Sequence, residues 1–124
     1  MKQRIYIAGP MTGLPDFNYP AFNAAAKLLR DMGHTVLNPA ENPAPRCGTW
    51  SGYMRMALAQ LVQVDCVVLL PGWAESRGAL LERSVAQALG IDLAHFGNPR
   101  EMATILADLN LLSQQMAVVD WSAA

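Results

Sequence analysis

A single glutamate, Glu82, stands on an otherwise small and apolar face of a predicted helix. Residues three and four positions apart share one face of a helix, and on this face Glu82 is accompanied by Gly78, Ala79, Val85, Ala86 and Leu89. An ionised carboxylate that faces inward is costly unless it is paired, hydrogen-bonded or directed at a cavity. Glu82 is therefore a candidate nucleophile or acid–base group in a pocket. The competing interpretation is a glutamate satisfied by Arg77 or by backbone groups at the helix start.

The turn that begins this helix carries groups suited to an anion. Ser76, Arg77 and Gly78 combine a hydroxyl, a cation and free backbone N–H groups at a helix N-terminus, where the helix dipole favours negative charge. This pattern predicts a phosphate-binding turn, although an ordinary N-cap followed by a glycine for close packing explains the same residues. Gly9 and Pro10, which follow the first predicted strand, allow the backbone to approach a ligand or simply form a turn.

The aromatic residues near these motifs give a less specific signal. Trp73 lies three positions before Ser76, and it is interpreted either as a cover for a bound base or as an apolar lid over the end of the sheet. The aromatic residues are not expected to form a stacking platform; they are Tyr6, Trp50, Tyr53 and Trp73.

Apolar runs alternate with helical patterns along the sequence. This alternation predicts an α/β domain with a parallel sheet, which would hold the residues described above. Strands are predicted at 4–8, 34–37, 65–70 and 91–96, with a possible fifth at 116–121. Helices are predicted at about 20–32, 51–62, 76–89 and 99–115. The third strand is apolar throughout after Asp65, as expected of a central strand covered on both faces. The expectation is one domain over residues 1–124: a flavodoxin-like, doubly wound sheet of four to five strands flanked by helices.

The order of these elements also predicts where a ligand binds. In an open doubly wound sheet, the site lies beyond the carboxyl ends of the strands, where the strand order reverses. The loops after the first and third strands should meet there. These two loops contain Gly9 and Pro10 on one side and Ser76 to Gly78 on the other.

Composition excludes several classes of function. The net charge is −1 and the basic residues form no cluster, so a nucleic-acid polymer is not an expected partner. No apolar run approaches the roughly 18 residues of a membrane span, and the first residues lack the pattern of a signal peptide; a cytoplasmic location is expected. Cys47 and Cys66 form no CxxC pair, and His34 and His95 are far apart, so no metal site is expected.

Three segments together resemble the nucleoside 2-deoxyribosyltransferase-like superfamily, and more closely its branch of small phage and bacterial proteins. They are residues 6–13 (YIAGPMTG), 65–73 (DCVVLLPGW) and 76–82 (SRGALLE), and the resemblance covers about residues 3–96. It implies a homo-oligomeric enzyme that needs no cofactor and cleaves the N-glycosidic bond of a deoxynucleoside or its 5′-monophosphate. The position of Glu82 is that of the nucleophile, which forms a covalent glycosyl intermediate, and Ser76 that of a contact to the 5′ end. Gly9, Pro10 and Met11 are expected to border the sugar and base.

One departure from the family pattern concerns the chemistry. The active enzymes carry an aspartate eight residues ahead of the position of Asp65, where it orients the sugar and assists the leaving base; this chain has Ala57 there. Alanine can neither bind a hydroxyl nor transfer a proton. Asp16, also a candidate substrate contact, Glu41 or a neighbouring subunit are the alternative sources of that function.

Three hypotheses therefore follow. The first is an N-glycosidase or deoxyribosyltransferase acting through Glu82. The second is a nucleotide-binding protein with weak or no turnover, such as a sequestering or regulatory factor, which Ala57 favours. The third is a purely structural, oligomer-forming domain, which is disfavoured because the polar candidates cluster at one end of the sheet.

Overall fold

The structure is a computed structural model that describes residues 3–95. The predicted helix at 99–115 and the possible strand at 116–121 lie outside these residues. Within the described part of the chain, no helix combines the length and the apolar character needed to cross a membrane.

Four parallel strands form one sheet. They are β1 (Arg4–Ala8), β2 (Thr35–Leu37), β3 (Cys66–Leu69) and β4 (Asp92–His95), in the order β2-β1-β3-β4. The register places Ile5 between Val36 and Cys66, and Val67 opposite Leu93. Because the chain proceeds from β1 to β2 in one direction and then returns past β1 to β3 and β4, the strand order reverses between β1 and β3. This confirms the predicted flavodoxin-like α/β fold and its switch point.

Three helices cover the two faces of the sheet, and their positions follow from the alternation of side chains along β1. The helices are α1 (Tyr19–Asp31), α2 (Trp50–Leu61) and α3 (Arg77–Ala88). Ile5 and Ile7 point to the face packed by α1, whose apolar side is buried. Tyr6 and Ala8 point to the opposite face, which is covered by α2 and α3. The Tyr6 side chain, with its hydroxyl, is thus buried beneath α2 and α3.

The ends of the helices account for two differences from the expected core. Thr49 and Ser76 cap α2 and α3, each side-chain oxygen accepting a hydrogen bond from the backbone N–H three residues later. Position 62 falls on the inward side of the helix predicted at 51–62, but α2 ends at Leu61 and Val62 is exposed. Leu89 similarly follows the last residue of α3 and is exposed. The buried residues of α2 are Met54, Ala57 and Leu61.

The loops after β1 and β3 meet, as predicted. The N–H of Leu70 donates to the carbonyl of Ala8 at 2.8 Å. A Cβ atom on Gly9 would lie 2.9 Å from the Cβ of Leu70, a separation that forces atoms to shift, so Gly9 is needed for this close approach. Gly72, at φ +88°, brings its backbone against the ring of Pro10. The two loops therefore form a compact floor at the switch point.

Candidate functional site

A cavity of about 350 Å³ lies beside this floor, on the face of the sheet covered by α2 and α3. Its walls come from β1, the loop and first turns that lead into α1, the 39–49 loop, α2 and the first turns of α3. The volume falls at the lower end of the range for small-molecule sites. The fold thus places its cavity where doubly wound sheets bind ligands.

Glu82 lines this cavity and is hydrogen-bonded to Tyr6. The Tyr6 hydroxyl donates to Oε2 of Glu82, and both side chains are buried, with exposed fractions of 1% for Tyr6 and 6% for Glu82. No donor within residues 3–95 reaches Oε1 of Glu82, which leaves that oxygen available to a ligand. The predicted alternative, a glutamate satisfied by Arg77, does not describe this arrangement.

Burial sets the protonation of the pair. Desolvation raises the pKa of Glu82 from 4.5 to about 7, and the hydrogen bond from Tyr6 opposes this rise because it stabilises the ionised form. The pKa of Tyr6 is raised well above its usual value by burial and by the nearby Glu82 charge. Tyr6 therefore remains a neutral donor, while the Glu82 carboxyl titrates near neutral pH. A carboxyl with a pKa near the working pH is suited to acid–base or nucleophilic work.

The structure brings together five of the nine residues singled out from the sequence. The cavity is lined by Gly9, Met11, Ser76, Gly78 and Glu82. The Ser76 hydroxyl is engaged as the α3 N-cap, accepting from the N–H of Ala79 at 3.2 Å. The backbone N–H groups of the first turn of α3 therefore begin at the edge of the cavity.

The other four predicted residues lie outside the cavity lining. Trp73 packs edge-on against His95, with 5.4 Å between ring centroids, and this contact agrees with the apolar-lid interpretation rather than with a base cover. The Pro10 carbonyl accepts a hydrogen bond from Asn18 at 3.0 Å, Asp16 is exposed, and Arg77 stacks on Trp50.

Aromatic and thioether side chains form much of the wall, which the sequence reasoning missed. Tyr6, Trp50 and Tyr53, for which no common surface was expected, all line the cavity, and so do Phe17 and Tyr19 from the segment leading into α1. A signal was present in the sequence. Positions 50, 53, 54 and 57 follow helical spacing and put two aromatic residues, a methionine and Ala57 on one side of α2. Such a wall suits a flat heterocyclic ring.

Ala57 also lines the cavity, so the departure from the family pattern lies within the site. The carboxylates considered as substitutes do not reach it: Glu41 forms an ion pair with Arg30 at 2.7 Å, and Asp16 lies outside the lining. Among residues 3–95, Glu82 is the one carboxylate in the cavity wall. In this same part of the chain no three His, Cys, Asp or Glu side chains are grouped to bind a metal.

The Tyr6–Glu82 hydrogen bond has a measurable consequence. In Tyr6→Phe we expect the pKa of Glu82 to rise further, because the bond that stabilises its ionised form is lost while burial remains. A carbon-detected NMR titration of the glutamate side-chain carboxyls measures the shift. Tyr53→Phe is the matched control, since Tyr53 lines the same cavity but is 48% exposed. An unchanged Glu82 titration in Tyr6→Phe would contradict the assigned role of the bond.

Comparisons with known proteins agree with this architecture. A family model described as a domain of unknown function, DUF4406, matches residues 3–95. Among solved structures, the fold is similar to that of a 2-deoxyribosyltransferase from the psychrotolerant bacterium Bacillus psychrosaccharolyticus, with a TM-score of 0.62 and 24% identity, over 76% of this chain and 72% of that chain. No curated protein matches the sequence. At this level of identity the structural similarity shows a shared fold.

Proposed function

For this chain, which belongs to the DUF4406 family, we propose cleavage of the N-glycosidic bond of a deoxynucleoside or deoxynucleoside 5′-monophosphate, or transfer of its deoxyribosyl group, through a covalent glycosyl-Glu82 intermediate. The observation that carries the proposal is the buried Glu82 carboxyl, held by Tyr6 on one oxygen in a cavity with an aromatic wall. The fold shared with a 2-deoxyribosyltransferase supports the same reaction class.

The reaction proceeds in two displacements at C1′ of the sugar. The ionised carboxylate of Glu82 attacks C1′ while the bond from C1′ to the base nitrogen breaks, and the base leaves with the electron pair and takes a proton from water. Water or a second base then attacks C1′, the ester bond to Glu82 breaks, and the electron pair returns to the carboxylate. A proton from the attacking group passes to solvent. These steps parallel those of retaining glycosidases.

Tyr6 and the cavity walls provide what this chemistry requires. The hydrogen bond from Tyr6 fixes the carboxylate and favours its ionised form. The aromatic and thioether side chains of the wall lower the local polarity, which strengthens the electrostatic attraction between the carboxylate and the positive charge that develops on the sugar. Because the pKa of Glu82 is about 7, the fraction of active nucleophile rises as the pH increases through neutrality.

Ala57 favours a second candidate function, the binding of a nucleoside or nucleotide with little or no turnover. Its methyl group lines the cavity where a group that assists the departing base is needed. Loss of an acid–base partner commonly reduces rates by about 10²- to 10⁴-fold. A protein that binds and retains its ligand has no need of that group, so the same cavity serves a sequestering or regulatory role.

We also propose that the chain acts as a homo-oligomer. Leu80 and Leu81 on the outer side of α3 are 43% and 37% exposed, and neighbouring exposed leucines are typical of a surface covered in an assembly. The resemblance to the deoxyribosyltransferase-like superfamily supports the same proposal.

The experiment that tests the enzyme proposal measures free base. The full chain is incubated with each of the four deoxynucleosides and their 5′-monophosphates, and released base is separated by chromatography across a pH series. We expect release whose rate rises up to a plateau above about pH 7. Glu82→Gln should abolish release, and Glu75→Gln, an exposed glutamate just ahead of α3, should not change it.

Intact-protein mass spectrometry during turnover should show a deoxyribosyl adduct that is absent from Glu82→Gln. Release that persists unchanged in Glu82→Gln would exclude the covalent mechanism. Tight binding with no base released, even at high protein concentration and long times, would exclude the enzyme and support the binding function.

A further inference from the structure

Arg77 and Trp50 are stacked on one another beside the cavity. The guanidinium carbon of Arg77 lies 3.7 Å from the centroid of the Trp50 ring. Trp50 begins α2 and Arg77 begins α3, so the contact joins the first turns of the two helices that cover the site. Trp50 lines the cavity, whereas Arg77 does not.

The neighbouring glycine allows this arrangement. A Cβ atom on Gly78 would lie 3.2 Å from the Met54 sulfur and 3.9 Å from Nε1 of Trp50. The first turn of α3 therefore packs directly against the indole and the adjacent thioether because position 78 has no side chain. Gly78, predicted as part of an anion-binding turn, also makes room for one wall of the cavity.

Two of the groups predicted to bind a phosphate already contact other parts of the protein. Arg77 covers the indole ring, and the Ser76 hydroxyl caps α3. Among residues 3–95, the cavity lining contains no lysine, arginine or histidine. A phosphate dianion brought into this cavity would also face the Glu82 carboxylate, and like charges in a poorly solvated site repel one another. The described part of the site is better suited to an uncharged ligand.

We propose that Arg77 is a positioning residue that holds Trp50 as the wall on which the substrate base stacks. We further propose that the site prefers an uncharged nucleoside to its 5′-monophosphate, because its lining among residues 3–95 carries the Glu82 carboxylate and no cationic side chain. This inference rests on the proposed function, whose substrate class it narrows. With one face of the indole covered by the guanidinium, a base stacks on the other face. A ring held in place in advance loses little conformational freedom when the ligand binds, and this favours affinity.

A double-mutant cycle measured by calorimetry tests the role of Arg77. The ligands are 2′-deoxypseudouridine, 2′-deoxyformycin and the 5′-monophosphates of both. In these C-nucleosides a carbon–carbon bond joins the sugar to the base, and the proposed reaction does not cleave it. In the full chain, Trp50→Leu should weaken nucleoside binding about tenfold, the usual effect of a lost base–aromatic stack. Arg77→Met should weaken it about two- to fivefold, as for a lost cation–π contact, and should add nothing in the Trp50→Leu background.

Arg83→Met is the matched control. Arg83 also lies on α3 and its guanidinium sits 5.1 Å from the ring of Trp73, but neither residue lines the cavity. We expect nucleoside affinity to remain unchanged in this variant. Thermal unfolding followed by circular dichroism verifies that all variants are folded.

The outcomes separate this inference from the proposed function. If Arg77→Met weakens only the binding of monophosphates, and equally so in both backgrounds, Arg77 is a phosphate ligand and the inference is overturned, even where base release is observed. Coupled effects on nucleoside binding without any base release would support the inference and overturn the enzyme proposal. Failure of every C-nucleoside to bind, or tighter binding of the monophosphates, overturns the inference.

Discussion

Ala57→Asp should accelerate base release by about 10²- to 10⁴-fold, the range by which a positioned acid–base or orienting group commonly contributes to a rate. Ala57 lies in the cavity wall that also contains Glu82. An aspartate at this position can accept a hydrogen bond from a sugar hydroxyl and can pass a proton to the departing base. Rates of base release for the wild type and the variant, measured on the same substrate, test this expectation.

The Ala57→Asp substitution places a second acidic group in the cavity that contains Glu82. Like charges in one cavity disfavour joint ionisation, so the pKa of Glu82 should rise further in Ala57→Asp and the rate should reach its plateau at higher pH than in the wild type. Ala57→Asn is the matched control, because it hydrogen-bonds a hydroxyl but transfers no proton. Equal acceleration by Asn would reduce the role of this position to orientation, and no acceleration by Asp would contradict the expectation.

The regular elements could be predicted because each has a periodic pattern of its own. β1 was predicted with its observed bounds, Arg4–Ala8, and the other predicted strands and helices within residues 3–95 differ by a single residue at one or both ends. Those ends depend on which terminal backbone groups find partners. The N–H of Asp65, for example, bonds to the Arg4 carbonyl, but β3 begins only at Cys66.

The residues of the candidate site could be predicted only where the pattern of a single helix or strand identifies them. Glu82 was identified because the face of a single helix shows an isolated charge. Its partner Tyr6 is 76 positions away, and the contact depends on which face of the sheet α3 covers. The stack of Arg77 on Trp50 likewise joins two helices. From its position alone Arg77 was interpreted as an anion ligand, because a local pattern does not reveal which side chain from another element lies beside it.

The Glu82 carboxyl that the proposed reaction uses should also make the stability of the folded protein depend strongly on pH. The pKa of Glu82 is about 7 in the folded protein, against the ordinary value of 4.5 expected on unfolding. Between these pH values the folded state retains a proton that the unfolded state has released. The free energy of unfolding therefore decreases as the pH rises from 4.5 to 7. The integrated loss from this one group is about 3 kcal/mol, a large part of the stability of a small domain.

Glu82→Gln should remove this pH dependence, because the amide is neutral throughout and its oxygen can still accept from the Tyr6 hydroxyl. We expect the variant to match the wild type near pH 4 and to exceed it by about 3 kcal/mol at pH 8, while base release is lost. Urea unfolding at several pH values measures the difference, with Glu75→Gln as the control for removing one negative charge. If the free energy of unfolding changed with pH in the same way in the wild type and in Glu82→Gln, the pKa of Glu82 would not be raised in the folded protein. A gain in stability together with a loss of turnover would instead show that the fold carries an unfavourable buried charge for the sake of the reaction.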